Sequence, residues 1–170
     1  MASIKRTARK SAARDVVSRD NDFHRWLLDR ASALRSRDFR FTDWNDVAEE
    51  LEAMAKSDER SVTSHLKNLL EHLLKWQFVS SHRGSSWEKT IKVSRDSIHD
   101  ILNDSPSLDR KLPAFILTAY GRARRDAVDE MKARHQDSSG LPDSCPWPFE
   151  VFMSEDFWPP EGTNGQTRHV

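Results

Sequence analysis

The sequence predicts an all-α fold, a compact bundle of about five helices with a proline- and aromatic-rich C-terminal tail wrapped on the bundle. Three observations predict it. Apolar residues recur at intervals of three and four along most of the stretch from Phe23 to Met131. Glycine is scarce, at 5 positions, and charged residues make up 32%, the composition of a helical chain with a heavily charged surface. Hydrophobic residues are only 36%, but six tryptophans and eight phenylalanines supply side chains large enough to close a lean core.

The elements follow in order. Residues 1–20 hold six basic and two acidic groups and almost no large apolar side chains, so a disordered basic arm is expected there. Asn21 or Asp22 then caps a first helix whose stripe is Phe23, Trp26, Leu27 and Leu34, ending near Ser36. Thr42 or Asp43 caps a second, with Trp44, Val47, Ala48, Leu51, Met54 and Ala55 on one side and carboxylates in its first turns, where the helix dipole favours them. That helix is expected to end near Lys56. Ser57 followed by Asp58 and Glu59 reads as a fresh N-cap with an acidic first turn, opening a third helix to Phe78 on the stripe Val62, Leu66, Leu69, Leu70, Leu73 and Leu74.

Residues 80–86, SSHRGSS, form a loop by composition, and Ser85 with Glu88 matches a capping box. The fourth helix presents Trp87, Ile91, Ser94, Ile98, Ile101 and Leu102 inward and stops at Ser105 and Pro106. A final long stripe runs Leu108, Leu112, Phe115, Ile116, Ala119, Ala123, Ala127 and Met131, with a short first turn and a kink or fresh start at Pro113. Five prolines between 142 and 160 exclude another long helix. The same segment holds Trp147, Phe149, Val151, Phe152, Phe157 and Trp158, so it is expected to wrap the bundle through one short helix at Phe149–Met153. Residues 161–170 are expected to be a disordered tail, which leaves one helical domain over 21–160.

No apolar run approaches the ~20 residues that cross a bilayer, so no membrane association is expected. The basic N-terminus lacks the apolar segment of a secretory signal. Cys145 is the single cysteine, which excludes an internal disulfide and suits a reducing cytoplasm. Formal net charge is zero, so the chain as a whole is not a polyanion binder, although residues 42–59 are strongly acidic and residues 60–95 carry seven basic groups against two acidic ones.

A set of segments in fixed order carries a family resemblance: DFHRWLLDRASALR, WNDVAEELEAMAKSDER, LLEHLLKWQF, DSPSL and CPWPFEVFMSEDFWP. Together they resemble DUF29, a bacterial domain of unknown function, over about residues 20–160. The resemblance implies an all-helical fold. It brings no activity and no catalytic residues with it. Gly121, inside the last predicted helix, and the arm before residue 20 depart from the family pattern.

Four groups of residues are candidate sites. His65 and His72 share a face of the third predicted helix, and with Glu49 or Glu50 from the second they would make a mixed histidine and carboxylate metal site between facing helices. Against this, no HExxH or Glu-x-x-His spacing is present, and paired histidines at the edge of an apolar stripe are ordinarily hydrogen-bonded packing. His82, Arg83, Trp87, Lys89 and Arg95 place donors and an aromatic ring near a helix start, where an anion or nucleic acid would be favoured; the cluster Arg122, Arg124 and Arg125 adds to that composition. The competing reading is a solvated basic face answering the acidic helix. Asp46, Glu49, Glu50 and Glu52 read as an outer helix face before they read as acid–base catalysts. Cys145 has no histidine near it in sequence and reads as a packed thiol.

No cofactor and no catalytic residue is therefore expected. The leading functional expectation is a non-enzymatic helical module acting through a homodimer or another protein partner. Nucleic-acid binding through the arm and residues 67–95 is the alternative from a second class, and a metal-dependent enzyme at His65, His72 and a helix-two glutamate the third.

Overall fold

The computed structural model describes residues 18–38, 43–79 and 83–162. Most of the expected basic arm, residues 1–17, and the end of the expected tail, residues 163–170, lie outside the described residues, as do Thr42 and His82. Among the described residues the regular structure is all helical, without a strand: α1 Phe23–Ser36, α2 Trp44–Phe78, α3 Ser85–Asp104, a 3-10 helix Pro106–Lys111, α4 Leu112–Ala133 and α5 Phe149–Met153. Contacts group the chain into two units, Met1–Glu52 and Ala53–Val170, with the division inside α2.

In the first unit α1 starts where its local chemistry says it should. The Asp22 carboxylate accepts the Arg25 backbone N–H at 2.9 Å, satisfying one of the amides a helix start leaves unpaired. At the other end Arg37 turns left-handed, at φ 53°, and the Arg37 and Asp38 amides donate back to the Leu34 and Ala33 carbonyls. That closure usually takes glycine. Asp43 caps α2 by accepting the Asn45 N–H at 2.9 Å.

The expected break at Ser57 does not exist: Trp44–Phe78 is one helix of 35 residues. Serine inside a helix costs only about 0.5 kcal/mol relative to alanine, and no glycine or proline lies between Trp44 and Phe78. The apolar spacing also passes from Leu51 and Ala55 to Val62 and Leu66 without a change of phase, so continuing the helix costs less than ending it.

The second unit is built on the rest of α2 with α3 and α4. The core holds Val62, Leu66, Leu69, Leu70, Leu73 and Leu74 of α2, Ile91 and Ile98 of α3, and Ala119, Ala123, Ala127 and Met131 of α4. The residues α4 gives to this cluster are mostly small alanines, while α2 gives mostly leucines. α3 begins at Ser85, with Gly84 rather than Ser85 in the capping position and no side-chain cap bond; the expected capping box is replaced by a glycine start one residue earlier. Pro106 opens the 3-10 helix, and α4 starts afresh with Pro113 in its first turn, where proline's missing N–H has no carbonyl to serve. A Cβ at Gly121 would meet nothing within 4 Å, so nothing in the structure explains glycine there.

The tail closes this core. Phe152 of α5 is fully buried, Leu141 nearly so, and Trp147, Phe149, Phe157 and Trp158 pack against the same cluster. Trp158 lies 4.6 Å from Trp76, ring centre to ring centre. At the far end Gly162 donates to the Gln77 carbonyl at 2.9 Å. A Cβ on Gly162 would come within 2.7 Å of the Phe78 ring, so any side chain there would force the ring or the tail to shift.

Candidate functional site

Polar side chains join α2 to α4 in a column. Lys67 meets Glu71 at 2.5 Å and Asp126 at 2.6 Å; Lys75 meets Glu71 at 3.1 Å and Glu130 at 2.6 Å; Arg134 meets Glu130 at 2.8 Å. Glu59 pairs with Lys111 at 2.5 Å, just before α4 begins. Partner numbers rise together on both helices, so α2 and α4 run in the same direction. Lys75 is buried, and a buried ammonium needs such partners, since desolvation otherwise disfavours it. Burial pushes the Lys67 pKa down, but hydrogen bonds to Asp126 and Glu71 outweigh it and the net shift is upward. Burial pushes the Glu130 carboxyl up, and Lys75 and Arg134 outweigh it to leave it low.

Beside the upper part of this column lies an open groove of about 730 Å³ between the two helices. Lys56, Arg60 and Lys67 line it from α2, Arg122 and Arg125 from α4. Its two carboxylates, Glu59 and Asp126, are the ones engaged by Lys111 and Lys67. Arg60, Arg122 and Arg125 are exposed and have no acidic partner among the described residues.

The histidine and glutamate set does not come together. Glu49 and Glu50 stand upstream of His65 and His72 on the same helix, because the two helices expected to face each other are one. Arg19 reaches Glu50 at 2.7 Å and Glu49 at 3.6 Å. The Nδ1 of His72 bonds the Asn68 carbonyl oxygen at 2.8 Å, and its ring meets Trp87 edge-on at 6.4 Å. Burial, with Lys75 adding to it, lowers the His72 pKa below the usual histidine value. His65 is half-buried on the same helix. Among the described residues no group of three or more His, Cys, Asp or Glu side chains could hold a metal.

The basic set around α3 is likewise dispersed. Arg83 donates from Nε to the Trp76 carbonyl at 2.8 Å, pairs with Glu161 at 3.1 Å and lies over the Trp76 ring; it serves the last turn of α2, whose carbonyls have no helical donor. Trp87 is half-buried under the Lys75 ammonium, 5.3 Å from its ring centre. Lys89 is exposed on α3, and His82 lies outside the described residues.

Arg95 is buried. Its guanidinium donates to three tail carbonyls: Nε to Phe152 at 2.9 Å, Nη1 to Glu155 at 3.3 Å and Nη2 to Phe157 at 2.8 Å. Arg124 does the same for the preceding segment, with Nε on the Pro142 carbonyl at 2.8 Å and Nη2 on the Asp143 carboxylate at 2.9 Å. Tyr120 donates to the same Pro142 carbonyl at 2.7 Å, and burial raises its pKa to about 12. Cys145 is half-buried with its thiol toward the Trp147 carbonyl at 3.4 Å, and burial raises its pKa, the opposite of an activated nucleophile.

The first unit has a different surface. Phe23, Leu27, Leu28 and Leu34 of α1 and Trp44 and Leu51 of α2 are all exposed, with Trp26 the one buried hydrophobic side chain among its described residues. Met54, one turn beyond Leu51, is 59% exposed. The stripe that periodicity assigns to a core on the first half of α2 therefore faces outward.

Sequence reasoning did not single out Arg60 or separate Arg122 and Arg125 from Arg124. The available signal was spacing: Phe115, Thr118, Arg122 and Arg125 repeat every three or four residues on one side of α4, while Ala119, Ala123 and Ala127 repeat on another.

A helical bundle closed by an arginine-held tail, with no helix of the described residues long and apolar enough to cross a membrane, is the class of protein the fold defines. The chain belongs to the family described as "Domain of unknown function DUF29", whose model matches residues 19–158. No curated protein and no solved structure matches it.

Proposed function

We propose that this chain is a non-enzymatic helical module that works by protein contact, with the apolar faces of α1 and the start of α2 as the contact surface and a second copy of the chain as the partner. The observation that carries the reading is the imbalance among the described residues between 18 and 52: six large hydrophobic side chains exposed against one buried. Contiguous exposed apolar surface on a water-facing helix ordinarily marks an interaction site. Phe23, Leu27 and Leu34 fall on one stripe of α1, which suits packing against another helix by ridges and grooves. A cytoplasmic setting fits the lone cysteine.

Sedimentation velocity over a range of concentrations tests the reading. The expected outcome is a monomer–dimer equilibrium that Leu27→Glu with Leu34→Glu shifts to monomer while the circular dichroism spectrum is kept. A wild-type protein that stays monomeric well above micromolar concentration would sink it.

A further inference from the structure

We propose that the groove between α2 and α4 binds a single strand of nucleic acid through its phosphate backbone, without regard to base sequence. The inference rests on the second unit alone and does not depend on the contact surface of the first.

The charge balance of the groove is the starting point. Five cations and two carboxylates line it, in a chain whose formal net charge is zero. Both carboxylates are engaged by lysines, and one of those, Lys111, is not among the lining residues. The guanidinium groups of Arg60, Arg122 and Arg125 are left facing a concave surface with no acidic partner among the described residues. A concave, low-dielectric wall focuses the field of such groups, and the planar guanidinium fork matches the oxygens of a phosphate.

The shape selects among anions. The lining residues run from Lys56 to Lys67 on α2 and from Phe115 to Asp126 on α4, which at 1.5 Å per residue is a trough roughly 16 Å long. Because α2 and α4 run parallel, cations recur along its length and it is open to solvent, as suits a chain of regularly spaced charges. Phe115 is the single large apolar side chain in the lining. An acidic protein segment would find little hydrophobic surface to bury there, whereas backbone binding of nucleic acid takes its affinity from charge and counterion release. With one aromatic ring, base stacking contributes little, so the binding is sequence-tolerant.

Fluorescence anisotropy of a labelled mixed-sequence single-stranded oligonucleotide, titrated with the full chain at several salt concentrations, tests the proposal. The expected result is binding whose affinity falls with salt, with a log–log slope of about −2 for phosphate contacts from Arg60, Arg122 and Arg125 at ~0.7 each. Arg122→Glu with Arg125→Glu should weaken binding at least tenfold, and the milder Arg122→Gln with Arg125→Gln should make the slope shallower by about 1.4. Lys89→Glu with Lys92→Glu, on α3, should leave both unchanged. Absence of binding at low salt, or binding indifferent to both arginine pairs, overturns the proposal. So does binding lost only when Lys5, Arg6, Arg9 and Lys10 are replaced by alanine. A labelled polyglutamate peptide bound more tightly than the oligonucleotide would assign the groove to acidic protein segments instead.

Discussion

Arg95 on α3 and Phe157 in the tail are joined by a 2.8 Å hydrogen bond across 62 positions of sequence, and the same guanidinium holds the Phe152 and Glu155 carbonyls. One side chain thus fixes both ends of the turn that follows α5. Its charge is buried against three backbone dipoles and the face of Trp158, 5.7 Å away, in place of a carboxylate.

Replacing Arg95 should cost more than a surface arginine would. Arg95→Ala strands the buried Phe152 carbonyl and two part-buried ones and opens a cavity, and a loss of about 3 kcal/mol is expected from truncating a buried, charged hydrogen-bonding group. Arg95→Lys should recover less than half, since an ammonium cannot span three acceptors at once. Urea unfolding gives the loss, and limited proteolysis should cut the variant first between residues 141 and 162. A loss below 1 kcal/mol would mean the tail does not depend on Arg95.

Ser57 offers a sharp test of the continuous α2. In the middle of a helix, exposed Ser57→Ala should stabilise the protein by about 0.5 kcal/mol through helix propensity. Were Ser57 an N-cap, the same change would cost about 1 kcal/mol. The sign of the shift in the thermal midpoint decides between them.

The pH dependence of stability should carry the signature of His72. Its folded-state pKa is lowered from 6.5, chiefly by burial, so the unfolded chain binds the proton more readily. Stability from this group is therefore complete above pH 6.5 and lost as pH falls through 6.5 toward the folded value. His72→Gln should flatten that part of the curve, measured by urea unfolding at pH values between 7.5 and 5. A slope identical in wild type and variant would place the proton uptake elsewhere.

The helices were largely legible in the sequence because their signals are local. Asp22, Asp43, Pro113 and the repeat of leucines in α2 act within a turn or two of themselves, and α5 lies over the span its aromatic residues suggest. Ser57 misled because capping preference and helix-interior tolerance differ by so little energy that the neighbouring turns decide. Arg83, Arg95 and Arg124 were illegible for another reason. Their partners include backbone carbonyls, which every residue has, so composition cannot show which arginine is consumed in holding the fold and which remains for a ligand. The groove needed Arg60 and Arg125 brought to one concave surface from helices 34 or more residues apart, which no local pattern shows.

The order in which the chain leaves the ribosome gives the tail a further significance. α3 emerges with Arg95 long before Phe152, Glu155 and Phe157, and the core face covered by Phe152 stays open in the interval. Until nearly the whole of residues 53–162 has been synthesised, the nascent bundle carries an unmatched guanidinium and a leucine-rich surface. Premature termination between Arg95 and α5 would leave both in place, so chains cut short there expose a charge and an apolar face that the finished chain covers.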